Sequence, residues 1–85
     1  MEIAFTQRAK EDLEQWKKSG DKKAQARIAK LIVSIQETPF AGIGKPEALK
    51  YELSGKWSRR ITEVDRIVYS IRDETLYIHS LKGHY

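Results

Sequence analysis

Apolar residues recur along this chain with two different periods, and the change of period divides it. Glu2-Ile3-Ala4-Phe5 is a short run suited to a first strand. Thr6 follows as a candidate helix cap, and Ala9, Leu13 and Trp16 fall at i, i+4 and i+7, one face of a helix. Gly20 suits the left-handed end of that helix. Asp21 can cap a second helix, whose buried stripe is Ala24, Ile28, Leu31, Ile32 and Ile35. Pro39 disfavours the helical conformation at the residue before it, so the second helix is predicted to stop near Thr38. Residues 39–46, Pro-Phe-Ala-Gly-Ile-Gly-Lys-Pro, have neither period and read as a loop.

Beyond the loop, β-branched and aromatic residues predict strands over Lys50–Leu53, Trp57–Thr62, Arg66–Arg72 and Leu76–Leu81. The breaks at Ser54-Gly55, Glu63–Asp65 and Asp73-Glu74 are short enough for hairpins. The expected fold is α+β: a short N-terminal strand, then a two-helix hairpin packed on an antiparallel β-sheet, in a single domain spanning 1–85. In the third of these strands, Ile67, Tyr69 and Ile71 share the core face and Arg66, Val68 and Ser70 the other. Arg66 then projects from the open face, beside Arg60 if the strands pair through the Glu63–Asp65 turn.

Composition narrows the class without locating a site. With 85 residues the chain can bury only roughly 60–65% of its unfolded surface, so its core is thin. It has no cysteine, which excludes disulfides and thiolate metal sites and fits a reducing compartment. Neither a leader-like nor a membrane-spanning stretch is evident, so a cytoplasmic location away from membranes is expected. The net charge of +4 suggests an anionic partner, but the 16 basic and 12 acidic residues divide evenly between residues 1–40 and 41–85. The densest unopposed positive segment is Leu53–Ile61, with Lys56, Arg59 and Arg60.

Two arginines on an open sheet face would suit a phosphate. Metal-free RNA cleavage needs a base for a ribose 2′-hydroxyl, an acid for the departing 5′-oxygen, and cations for the charge on phosphorus. Glu47, just after Pro46, can serve as that base or simply be a solvated loop carboxylate. Lys45 and Lys50 can neutralise RNA or keep the loop soluble. His84 titrates near neutrality and can act as the acid, or it belongs to a frayed end. Tyr85 can stack on a base. Trp57 is more often packing than a base platform, and Trp16 and His79 read as structural. Two histidines with no partner ligands make no zinc site, and Gly42-Ile43-Gly44 is no nucleotide cradle, so neither metal nor cofactor is expected.

The run Thr38-Pro39-Phe40, Gly42, Gly44-Lys45-Pro46-Glu47, Leu49-Lys50, Leu53-Ser54-Gly55, Trp57 to Thr62, Arg66, Val68-Tyr69 and the final His84-Tyr85 resembles the YoeB/Txe toxins of the RelE superfamily. The likeness covers the second half of the chain almost continuously; the helical half agrees in layout and in Trp16. It implies a RelE-like fold and a metal-independent endoribonuclease that cuts mRNA in the ribosomal A site. It also implies Glu47 as general base, His84 as general acid, Arg66 as transition-state stabiliser and Tyr85 as substrate-orienting residue, with Lys50 and Arg60 contacting phosphates. Arg59 beside Arg60 is a further candidate phosphate contact. The implied partners are a YefM-like antitoxin, the ribosome and mRNA, with homodimerisation suggested and operator DNA reached only through the antitoxin complex. Lys82-Gly83 and Asp65 depart from the pattern, the latter standing where many relatives carry histidine. Gly83 is expected to loosen the terminal dipeptide and Asp65 to weaken the local positive field. Two other readings predict different behaviour: a noncatalytic, ParE-like toxin would not need Glu47, Arg66 and His84 together, and a nucleic-acid-binding module would bind RNA without them.

Overall fold

The helix caps form as their sequence dictates. In the computed structural model, which describes residues 1–83, Thr6 accepts a hydrogen bond from the Ala9 amide through Oγ1 and so caps α1 (Gln7–Ser19). Gly20 ends that helix in the left-handed conformation, φ 73°. Asp21 then caps α2 (Lys22–Glu37) by accepting from the Ala24 amide. These caps set the reversal between two helices whose stripes, Ala9 and Trp16 on α1 and Ala24, Ile28, Leu31 and Ile35 on α2, are all buried.

The strands are β1 (Glu2–Phe5), β2 (Glu47–Ala48), β3 (Trp57–Arg60), β4 (Arg66–Arg72) and β5 (Thr75–Ser80). They form one sheet in the order β1-β5-β4-β3-β2. The helices cover one face, where Ile67, Tyr69, Leu76, Ile78 and Leu81 meet the helical stripes in a single core. The architecture is the expected α+β one, with a difference in the sheet. Its β2 to β5 are antiparallel, but β1 pairs in parallel with β5, so the sheet is mixed. The first strand, which precedes both helices, joins at the edge beyond β5.

Two further expectations are corrected. The segment predicted as a strand over Lys50–Leu53 is a single 3-10 turn, Tyr51–Leu53, closed by the Leu53 amide donating to the Lys50 carbonyl (3.1 Å). Arg59, expected at a phosphate, is fully buried on the helix-covered face. Its guanidinium donates to Tyr69 Oη (3.1 Å), Ser34 Oγ (2.7 Å) and the carbonyls of Ile43 (3.1 Å), Thr38 (2.7 Å) and Ala41 (2.8 Å). With its nitrogens committed to the interior, it has no donor to offer an RNA phosphate. Residues 39–46 are therefore an organised loop, wound around a buried cation. Gly44 is obligatory there: at φ 84° a Cβ would sit 2.7 Å from Leu31 Cδ2 and 3.1 Å from Arg59 Cβ.

Candidate active site on the open sheet face

Strand alternation determines what the uncovered face presents. With Trp57, Arg59 and Ile61 turned to the helices, Ser58 and Arg60 turn away from them. Register then aligns their neighbours. Glu47 on β2 pairs with Ser58, Ser58 pairs with Val68 on β4, and Arg60 pairs with Arg66. Glu47, Ser58 and Arg66 thus lie on one face of three adjacent strands. Arg66 is half-buried and donates from Nη1 to Ser58 Oγ (2.8 Å). Ser58 is fully buried, and a charge-assisted bond from a buried anchor holds the guanidinium in one orientation, contributing roughly 1.5–3 kcal/mol. Ser58 was not singled out from the sequence; its signal was its place between two arginines in a period-two segment.

Glu47 is exposed and stands in a cleft of about 580 Å³ together with Lys50 and Tyr51. The cleft thus brings Glu47 and Lys50 together, and strand register puts Arg66 on the same face as Glu47. Arg60 is also exposed, at the end of β3, where the strand borders a second cleft of about 680 Å³ whose α2 wall carries Lys23, Arg27 and Lys30, with Asp21 and Glu63 at its margins. That cluster was invisible in the bulk charge, because its lysines and arginine come from the first half of the chain. No group of three or more His, Cys, Asp or Glu side chains comes together as metal ligands among the described residues. No helix among them is long and apolar enough to cross a membrane.

His84 and Tyr85 lie outside the described residues. The segment leading to them is held by bonds from several elements. The buried Asp12 carboxylate accepts from the Leu81 amide (2.9 Å), and Trp16 Nε1 donates to the Leu81 carbonyl (2.8 Å). Arg8 Nη2 donates to the Lys82 carbonyl (3.3 Å), while Lys82 Nζ sits 4.8 Å over the Trp16 ring. At Gly83 the amide donates to Asp65 Oδ1 (2.8 Å) and the carbonyl accepts from the Arg66 amide (3.2 Å). Asp65 itself is fixed by Thr62, whose hydroxyl donates to Oδ2 (2.9 Å). Gly83 adopts a positive φ of 77°, and the two oxygens of the Asp65 carboxylate accept from the Gly83 amide and the Thr62 hydroxyl; the dipeptide that Gly83 was expected to loosen lies outside the described residues. Asp12 could have been found from sequence: it falls between Ala9 and Trp16 on the buried stripe of α1.

Trp57, expected to pack rather than to receive a base, and His79, read as structural, have defined surroundings. Trp57 packs on Phe40 with ring centroids 4.9 Å apart. His79 occupies an irregularity in the β4–β5 pairing, where Val68 faces Ser80 and Tyr69 faces Ile78, and its Nε2 lies 2.7 Å from Ser70 Oγ. Burial pushes the imidazole pKa below its ordinary 6.5, and the Lys56 charge pushes it the same way.

The chain matches, over residues 5–85, the family described as the YoeB-like toxin of bacterial type II toxin-antitoxin systems. It is 51% identical to Toxin YoeB of Synechocystis, covering all of this chain and 98% of that one. It is 42% identical to Toxin YoeB of Escherichia coli over the whole of both chains. Among solved structures it resembles a YoeB/ParE toxin from Agrobacterium tumefaciens with a TM-score of 0.95 at 38% identity, complete in both chains. It also resembles the toxin in a YoeB-YefM complex from Staphylococcus aureus, with a TM-score of 0.88, 40% identity, and coverage of 100% and 98%. With its sequence matched from Phe5 to the C-terminus and its fold matched throughout, the chain belongs to the YoeB-like toxin family of bacterial type II toxin-antitoxin systems.

Proposed function

We propose that this toxin is a metal-independent endoribonuclease that cuts mRNA in the ribosomal A site in the cytoplasm. The observation that carries the reading is the Glu47, Ser58, Arg66 alignment across three strands of the open face. Glu47 removes the proton from a ribose 2′-hydroxyl. The oxygen attacks the adjacent phosphorus, forming a 2′,3′-cyclic phosphate, while the 5′-oxygen leaves with a proton from His84. Arg66 stabilises the charge that gathers on the phosphoryl oxygens. Lys50 and Arg60 hold flanking phosphates and Tyr85 orients the substrate. The roles of His84 and Tyr85 rest on the family resemblance.

The partner in this reading is a YefM-type antitoxin, as in the complex of the Staphylococcus aureus relative, and a toxin homodimer is supported by the dimer of the same relative. Operator DNA is reached only through the antitoxin complex.

The test is primer extension on translating ribosomes with Glu47→Gln and His84→Gln. Each variant is expected to lose mRNA cleavage while still binding antitoxin, and cleavage by the parent is expected to survive EDTA. Undiminished cutting by both variants refutes the assignment and favours a noncatalytic toxin.

A further inference from the structure

Tyr51 combines properties that side chains of its kind seldom share. It is 91% exposed, the most exposed of the large hydrophobic side chains among the described residues. Its backbone has a φ of 58°, a region that costs a residue other than glycine of order 1 kcal/mol or more. The chain around it is tightly tied: the Leu53 amide donates to the Lys50 carbonyl (3.1 Å), the Ser54 amide to the Tyr51 carbonyl (3.0 Å), and the Leu49 amide to the Lys56 carbonyl (2.9 Å), with Leu49 buried beneath. The turn therefore holds an aromatic ring in solvent at a backbone position better suited to glycine. Packing does not explain this, because nine-tenths of the residue is uncovered.

The location suggests a use. Tyr51 lines the same cleft as Glu47, Lys50 and Glu52, so an aromatic side chain, an ammonium and two carboxylates border one space. A single-stranded nucleotide presents the complementary set: a base with a π-face, a ribose hydroxyl and a phosphate. We propose that Tyr51 is a nucleobase-stacking residue, which receives the base of a nucleotide flanking the scissile phosphate while Lys50 meets that nucleotide's phosphate. The proposal rests on the nuclease reading and deepens it. The rigid turn aims the ring before substrate arrives, and stacking is tolerant of base identity, so Tyr51 supplies affinity with little sequence preference.

The experiment measures affinity for a short fluorescent single-stranded RNA blocked by 2′-deoxy substitution, in Tyr51→Ala, Tyr51→Phe and Tyr51→Gly. Stacking worth a typical base–aromatic contact predicts roughly tenfold weaker binding for Ala and for Gly, and Phe within about twofold of the parent. Gly is also expected to raise the urea midpoint, since it removes the left-handed strain. Weaker RNA binding in a more stable protein is an outcome that a merely structural tyrosine does not produce. Unchanged RNA affinity in Tyr51→Ala overturns the proposal, as does a loss confined to antitoxin binding, which would make the ring a protein contact. Because the RNA is not cleaved, this result stands apart from that of Glu47→Gln on ribosomes, where failure would strike the nuclease reading itself.

Discussion

Replacing Arg59 by Met separates a buried structural cation from an RNA-binding one. Met occupies much of the same space but donates no hydrogen bonds. It leaves the Ile43 carbonyl and the Ser34 hydroxyl without the guanidinium donor and takes one of two donors from the carbonyls of Thr38 and Ala41, which keep the Ala41 amide (3.3 Å) and the Thr38 hydroxyl (2.9 Å), while Tyr69 keeps its bond to the Pro39 carbonyl (2.6 Å). Bonds to a charged group contribute roughly 1.5–3 kcal/mol each, but five of them cannot be summed. Desolvating the guanidinium costs several kcal/mol, and Met avoids that cost. The loop carbonyls border solvent and can turn partly toward water. About 3–4 kcal/mol of net destabilisation remains, against a total of roughly 4–13 kcal/mol for a domain of this length. The thermal midpoint should fall by roughly 15–25 °C. Urea titration followed by circular dichroism measures the loss, and amide exchange should show residues 40–44 opening first. RNA affinity at a temperature where the variant stays folded should keep the parent's salt dependence, whereas Lys50→Ala should lower the slope by about one. An Arg59→Met protein within about 1 kcal/mol of the parent, or one that is stable yet shows the reduced salt slope, would refute this account of the cation.

Two other perturbations follow from the same geometry. Asp65→Ala frees the Gly83 amide from its 2.8 Å bond, so exchange at Gly83 should quicken about tenfold, with Asp65→Asn retaining an acceptor and most of the protection; equal protection in Ala and parent would contradict the clamp. His79 has a folded pKa below its unfolded value, so the unfolded chain takes up the proton first as pH drops. Its contribution is complete above the ordinary 6.5 and is lost as pH falls through the lower folded value. Urea midpoints at pH 7.5 and 5 should therefore diverge less in His79→Gln than in the parent, and an unchanged difference would show that another group controls acid sensitivity.

The local rules were legible where a short-range signal had no competitor. Thr6, Gly20 and Asp21 cap as their chemistry requires, and β1 and β4 have the expected bounds. The Lys50–Leu53 strand failed because four residues alternating polar and apolar are too few to distinguish a strand from one turn, and the Leu53-to-Lys50 bond selected the turn. The parallel pairing of β1 was illegible for another reason: it is a contact across 73 residues, decided by where the helices leave a free edge. Arg59 was legible in principle. Its neighbours two residues away on either side, Trp57 and Ile61, are both apolar, so alternation assigns it to the core, against the exposure that its charge suggests.

Arg59 stands among the residues that carry the family resemblance. Thr38, Pro39, Gly42, Gly44, Arg59 and Tyr69 belong to the resemblance, and in the fold they house or border one buried guanidinium. Much of the likeness thus records a cage rather than a reaction. The cage nevertheless bears on the chemistry through register. A strand shifted by one residue would turn Arg59 to solvent and bring Ser58 and Arg60 under the helices. Five hydrogen bonds to Arg59 oppose that slip, and by doing so they keep Ser58 on the open face, where it pairs with Glu47 and holds Arg66. The buried cation touches no substrate, yet it determines which way the candidate site faces, so variants that disturb the cage should lose Arg66 orientation and stability together.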